Sequence, residues 1–362
     1  MFLMIVVLFF ALSLLSLLGI VLVNSSGRPK PFLDGDGKPL AGSISEKTFV
    51  EINGRKQGLF VKGKRLSNPL LLYVHGGMPD FLLTQDHPTG LEELFTVAWW
   101  EQRGAGISYA GDIDLRSLNS RQLIEDTKAL SRHLCWRFGR EKIYLMGHSG
   151  GTFIALQAAA EAPELYEGYI GVAQMVNQRA SEKESYDHML RSYEERGDKG
   201  MAERLRGAPV LPQGEIPKAY WAIRDKAMHR LGVGTMHEMR SVFGGLIIPS
   251  LFFREYSFMD KVKLWRAKAK AGVSVILNEI LATDLSRMIA RLDVPFYVFH
   301  GSRDYTVSYA LSKEYFKQVQ APVKGFYTFA HSAHCPIFEE PQRVSDIMAN
   351  DVLMQRNDLS DP

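Results

Sequence analysis

The run Gly147-His148-Ser149-Gly150-Gly151 constrains this chain more than any other feature. It has the form G-x-S-x-G and stands between an apolar stretch, residues 143–146, and a segment over 151–160 that reads as a helix. A strand passing through a glycine-flanked serine into a helix is the setting in which a strained turn lifts the serine Oγ clear of the backbone. The pattern is weak by itself, and the strand and helix around it give it weight. The bland alternative is a Gly-rich strand-to-helix loop with an idle serine.

Further apolar runs give that elbow a scaffold. Residues 47–52 and 58–62 flank Asn53-Gly54, a hairpin signal. Runs at 69–74, 95–100, 142–146, 169–176, 295–300 and 326–329 read as strands, and 309–318 reads as a helix. Leu123, Ile124, Thr127, Leu130 and Leu134 recur at helical spacing between 121 and 138. Buried strands alternating with helices predict an α/β fold on a doubly wound, mostly parallel sheet. Composition excludes several alternatives. With 46% apolar and 23% charged residues the chain is globular, and a net charge of +3 over 362 residues gives no reason to expect nucleic-acid binding. Two cysteines exclude a disulfide scaffold and a Cys-rich zinc domain.

The remaining candidates for chemistry fall after later strands. His75-Gly76-Gly77 ends an early strand, where backbone N–H groups can face a developing oxyanion. Asp304 lies beyond the strand at 295–300, and His334 follows the last strand in Ala333-His334-Cys335-Pro336. Serine, acid, histidine is the chain order of the α/β-hydrolase fold, not that of chymotrypsin or subtilisin. The plainer readings are a turn role for Asp304 and a metal pair from His331 and His334 that lacks a third ligand. His331 is also the rival general base; His334 is preferred because it lies farther from the strand, on the loop that reaches back over Ser149. Cys335 and Cys135 read as packing residues, and no metal or cofactor is expected.

Residues 178–290 break the strand–helix rhythm and form a basic, helical insertion containing Met189, Met201, Met228, Met236, Met239 and Met259. They are either core filler or the lining of an adaptable pocket. The expected domains are therefore a first hydrolase block over 47–177, a helical cap over 178–290 and a second block over 291–362.

With these residues in place the chain resembles the α/β-hydrolase superfamily, most closely its proline iminopeptidase-like branch. The resemblance rests on Tyr73-Val74-His75-Gly76-Gly77, on Trp100-Glu101-Gln102-Arg103-Gly104-Ala105-Gly106-Ile107-Ser108, on the serine elbow and on the surroundings of Asp304 and His334. It implies Ser149 as nucleophile, Asp304 and His334 as its partners, and Gly77 with Gly150 as oxyanion donors. Met78-Pro79-Asp80 replaces the Pro-Gly that usually follows His-Gly-Gly in the family. The family's substrate-amino-group site has candidates in Trp221 beside Tyr220 and Asp225, and in Glu184 or Glu182. The implied function is a serine hydrolase cleaving an amide or ester of a small peptide or acyl substrate. A carboxylesterase-like enzyme and an idle binding module are the alternatives.

One segment lies outside this scheme. Residues 1–23 carry no charged side chain and would be about 34 Å long as a helix, enough to cross a bilayer core of roughly 30 Å. The expectation is a single-pass membrane anchor, with a cleaved signal peptide and secretion as the alternative, followed by a Pro- and Gly-punctuated stalk over 24–46.

Overall fold

In the computed structural model, which describes residues 2–271 and 273–362, the apolar runs form one sheet. Its strands are β1 (Ile44–Ile52), β2 (Arg55–Gly63), β3 (Leu70–Val74), β4 (Thr96–Glu101), β5 (Ile143–His148), β6 (Tyr166–Val172), β7 (Phe296–Gly301) and β8 (Lys324–Phe329). They lie in the order β1-β2-β4-β3-β5-β6-β7-β8. β2 pairs antiparallel with both β1 and β4, and the remaining pairs are parallel. The Asn53-Gly54 turn has φ of 47° and 72°, the left-handed pair that a two-residue hairpin of this twist requires.

β3, β4, β5 and β7 are buried along their whole length, as parallel strands covered on both faces must be. Alternation divides the core. Leu70, Leu72 and Val74 pack on one face with Phe153, Ile154 and Leu130, while Leu71 and Tyr73 pack on the other with Phe81, Trp99 and Phe299. The strand expected over 169–176 stops at Val172. Ala173 turns there at φ 51°, and the Gln174 side chain is buried, accepting from Tyr169 at 2.6 Å.

Between β6 and β7 the chain leaves the sheet. Helices Gln178–Glu195, Lys199–Arg206 and Lys218–Leu231 enclose their own apolar cluster, which contains Met189, Met201 and Met228 with Leu205, Tyr220 and Ile223. Met236 and Met239 pack against the sheet side, and Met259 is exposed. Most of these methionines thus fill cores, and Met228 also faces the cavity described below.

The N-terminal expectation is corrected. Among the described residues no helix is long and apolar enough to cross a membrane. A span needs about 20 consecutive apolar residues. The expected stretch includes Met1 and the side chains at 3, 10, 11 and 14, which lie outside the described residues, and what is described of helix Phe2–Val23 supplies no such window. The membrane partner and the membrane-anchored placement that rested on this span fall with it. The chain beyond the helix is tied to the body: Lys261 Nζ donates to the Asn24 carbonyl at 2.7 Å, Arg254 Nε donates to Asn24 Oδ1 at 3.2 Å, and Ser26 bridges to Ser257.

Candidate active site

β5 runs straight into helix Gly150–Glu161, and Ser149 between them is held at φ 54° and ψ −126°. A non-glycine residue keeps such a conformation only where its surroundings impose it. A Cβ at Gly151 would lie 2.0 Å from the Val74 carbonyl oxygen, so the elbow can sit against β3 only with glycine there. Gly76 is fixed similarly, since its Cβ would meet Ser149 Cβ at 2.7 Å.

The acid and histidine loops after β7 and β8 converge on this point. Asp304 and His334 are buried, and His334 Nδ1 lies 2.8 Å from Asp304 Oδ2. Asp304 is also a turn residue: its Oδ1 accepts from the Thr306 and Val307 N–H groups at 2.8 and 3.0 Å. Burial alone would raise its pKa, but His334 and His300 beside it hold the carboxyl well below the usual range. It is therefore a carboxylate, His334 Nδ1–H donates to it, and Nε2 is left as the free base. Burial lowers the His334 pKa below the ordinary 6.5, with Asp304 opposing that shift. A base loses activity as it gains a proton, so with His334 as the base proposed below kcat/KM is expected to hold to below pH 6.5 and fall only at lower pH, read from a pH–rate profile.

Ser149, His334, Gly77, Gly150, Trp221 and Asp225 all line one cavity of about 340 Å³. Gly150 opens its helix, so its N–H belongs to the first turn, which has no intrahelical acceptor. Among the described residues no hydrogen bond joins Ser149 Oγ to His334. The loop carrying Gly77 is anchored through His75. Burial lowers the His75 pKa to about 4, so the ring is neutral. It donates from Nδ1 to the Gly76 carbonyl at 2.9 Å and accepts the Gln102 N–H on Nε2 at 3.2 Å. This links the His-Gly-Gly loop to the Glu-Gln-Arg-Gly turn.

Other candidates are placed differently. His331 is exposed and lines a separate groove with Arg303. Glu184 does not line the cavity; it accepts from Ser308 Oγ at the start of helix Tyr309–Gln318. Glu182 reaches the cavity wall, but Arg224 takes both of its oxygens at 2.7 Å, and Tyr220 and Gln178 donate to it as well. A carboxylate so occupied is a scaffold, not a partner for a substrate ammonium. Asp225 is freer, accepting a single bond from Arg224 Nη1 at 3.1 Å, with a side chain 65% exposed. Among the described residues no group of three or more His, Cys, Asp or Glu is arranged to hold a metal ion.

Sequence reasoning missed one buried pair. His148 Nδ1 lies 2.7 Å from Asp80 Oδ2, and His148 Nε2 lies 3.0 Å from the His334 carbonyl oxygen. Its only sequence signal was Asp80 itself, in the Met78-Pro79-Asp80 departure.

A mostly parallel sheet with a serine elbow after β5, an acid loop after β7 and a histidine loop after β8 is the α/β-hydrolase fold, and the chain is a hydrolase of that fold. Residues 70–210 match the family model described as serine aminopeptidase, S33. The chain is 28% identical over 321 residues to the probable aminopeptidase YbaC of Bacillus subtilis (strain 168), covering 86% of this chain and 97% of that one. Among solved structures it is similar to proline iminopeptidase of Mycobacterium smegmatis, with TM-score 0.60, 14% identity and coverage of 86% and 98%. It is also similar to a proline iminopeptidase-related protein of Thermus thermophilus, with TM-score 0.57, 20% identity and coverage of 84% and 98%. The resemblance to the proline iminopeptidase-like branch is thereby borne out, the solved structures speaking for the fold.

Proposed function

We propose that the chain is a serine aminopeptidase acting on short peptides or aminoacyl amides, with Ser149, His334 and Asp304 as its triad. The observation that carries this reading is the 2.8 Å contact of buried Asp304 with His334, which lines the same cavity as Ser149 on its strained elbow. Ser149 Oγ attacks the scissile carbonyl while His334 Nε2 takes its proton and passes it to the leaving amine. Asp304 stabilises the imidazolium, and the N–H groups of Gly77 and Gly150 receive the oxyanion. Water, activated by His334, then releases the acyl group.

Asp225 and Trp221 on the cap wall are the partners proposed for a substrate ammonium. A turnover panel of aminoacyl amides, proline included, against simple acyl esters tests this. Asp225→Asn is expected to raise KM for aminoacyl amides about 10-fold more than for acetyl esters, the scale of one charge-assisted hydrogen bond. Equal effects on both classes would remove Asp225 from the role. A second reading, an ester hydrolase, is favoured by the apolar part of the wall, which includes Met78, Met175, Met228, Leu246 and Ile280. It is preferred if only esters turn over.

A further inference from the structure

Asp80 and His148 are buried side by side against the cavity, and both line it. The two ring nitrogens of His148 face two acceptors, Asp80 Oδ2 at 2.7 Å and the His334 carbonyl oxygen at 3.0 Å. A neutral imidazole has one N–H; two acceptors call for two, which is the imidazolium form. Tyr73 OH donates to the same Asp80 oxygen at 2.7 Å, so Oδ2 has two partners, while the buried Oδ1 has none among the described residues. The His148 and His334 rings lie with centroids 5.1 Å apart.

We propose that the buried Asp80–His148 ion pair positions the catalytic base: His148 Nε2–H holds the His334 carbonyl, and its fixed positive charge beside the His334 ring sets the pH at which that ring takes a proton. The proposal rests on His334 being the base. Burial would lower the His148 pKa, but the Asp80 carboxylate overrides this and raises it. A cation at this distance disfavours a second one on His334, while Asp304 on the other side favours it. The other titratable groups facing the pair include Tyr73 from β3, neutral His75 just after it, Tyr256, His300 from β7, Cys335, whose Sγ lies 3.7 Å from His148 Nε2, and Glu339 from helix Pro336–Glu339; Lys268 approaches His75. Burial pushes the Cys335 thiol up, so it brings no charge of its own.

Two measurements on the full chain test this without a known substrate. In ¹⁵N spectra of histidine-labelled protein at about pH 7.5, His148 is expected to show both ring nitrogens protonated; a neutral tautomer overturns the proposal. The second is the pH dependence of Ser149 phosphonylation by a fluorophosphonate. In His148→Gln the amide can still donate to the His334 carbonyl but carries no charge, and the acid limb is expected to move up by about half a unit or more. Asp80→Asn, which leaves His148 neutral, is expected to move it in the same direction. A uniform loss of rate with the limb unmoved would show packing alone and overturns the proposal. Should either variant fail to fold, the spectrum of the wild-type protein decides. If Ser149→Ala labels like wild type, the assignment of the base falls, whereas the ionisation state of His148 is still read directly.

Discussion

Ser149→Ala is expected to abolish fluorophosphonate labelling and to lower turnover on the order of 10⁴- to 10⁶-fold, because the nucleophile, base and acid of the proposed triad act as a unit. The expectation is clean because the elbow does not depend on the hydroxyl. Ser149 is held by its backbone: its N–H donates to the Val172 carbonyl at 3.0 Å, and its own carbonyl accepts from Thr152 N at 2.8 Å and Thr152 Oγ1 at 2.6 Å. Alanine at φ 54° bears the same backbone strain as serine, so the variant is expected to melt within about 1 °C of wild type. Equal labelling of the two proteins would remove Ser149 from the chemistry. A variant that neither labels nor folds would show that the hydroxyl supports the turn, against the hydrogen bonds just named.

The elbow, the hairpin at Asn53-Gly54 and the positions of Asp304 and His334 were legible because each is written locally, as a glycine that a turn needs or a side chain just beyond a strand. The site's surroundings are not local. Glu184 and Glu182 differ by two positions on one helix and face different neighbours, Ser308 and Arg224 respectively. A signal for Glu182 existed: Tyr220 and Arg224 stand four apart on one helix face, and a buried arginine needs a carboxylate. The Asp80–His148 contact offered no such pattern, since it depends on the register of β3 beside β5, Val74 opposite Gly147. The N-terminal run shows the converse error, in which composition and length were read as a bilayer span, a step that the described residues do not support.

Asp126→Ala is expected to have the largest effect on stability. Arg103 and Asp126 are both buried, and the Asp126 carboxylate collects five donors. Arg103 Nε and Nη2 reach it at 2.6 and 3.0 Å, and Asn53, Gln57 and Gln122 each donate at 2.8 Å. Those donors come from the β1–β2 hairpin, from the turn after β4 and from helix Ser120–Phe138, so one carboxylate joins three segments. Removing it leaves a buried guanidinium without its counter-charge, held only by the Ile52 and Asn53 carbonyls at 3.3 and 3.1 Å, a loss of about 3–5 kcal/mol. At about 2.1 cal/mol/K per residue over 362 residues, that lowers Tm by about 4–7 °C. Arg103→Met combined with Asp126→Leu is expected to recover part of the loss, since neither charge is then stranded. A calorimetric scan reads both. If the double variant is no more stable than Asp126→Ala, the stranded charge is not the cause, and the cost lies with the hairpin and helix donors left without their acceptor. The turn that Arg103 holds also carries Gln102, whose N–H fixes the His75 ring behind the His-Gly-Gly loop. Asp126→Ala is therefore expected to slow phosphonylation of Ser149 even at temperatures where the protein is fully folded, and an unchanged rate there would confine Asp126 to stability.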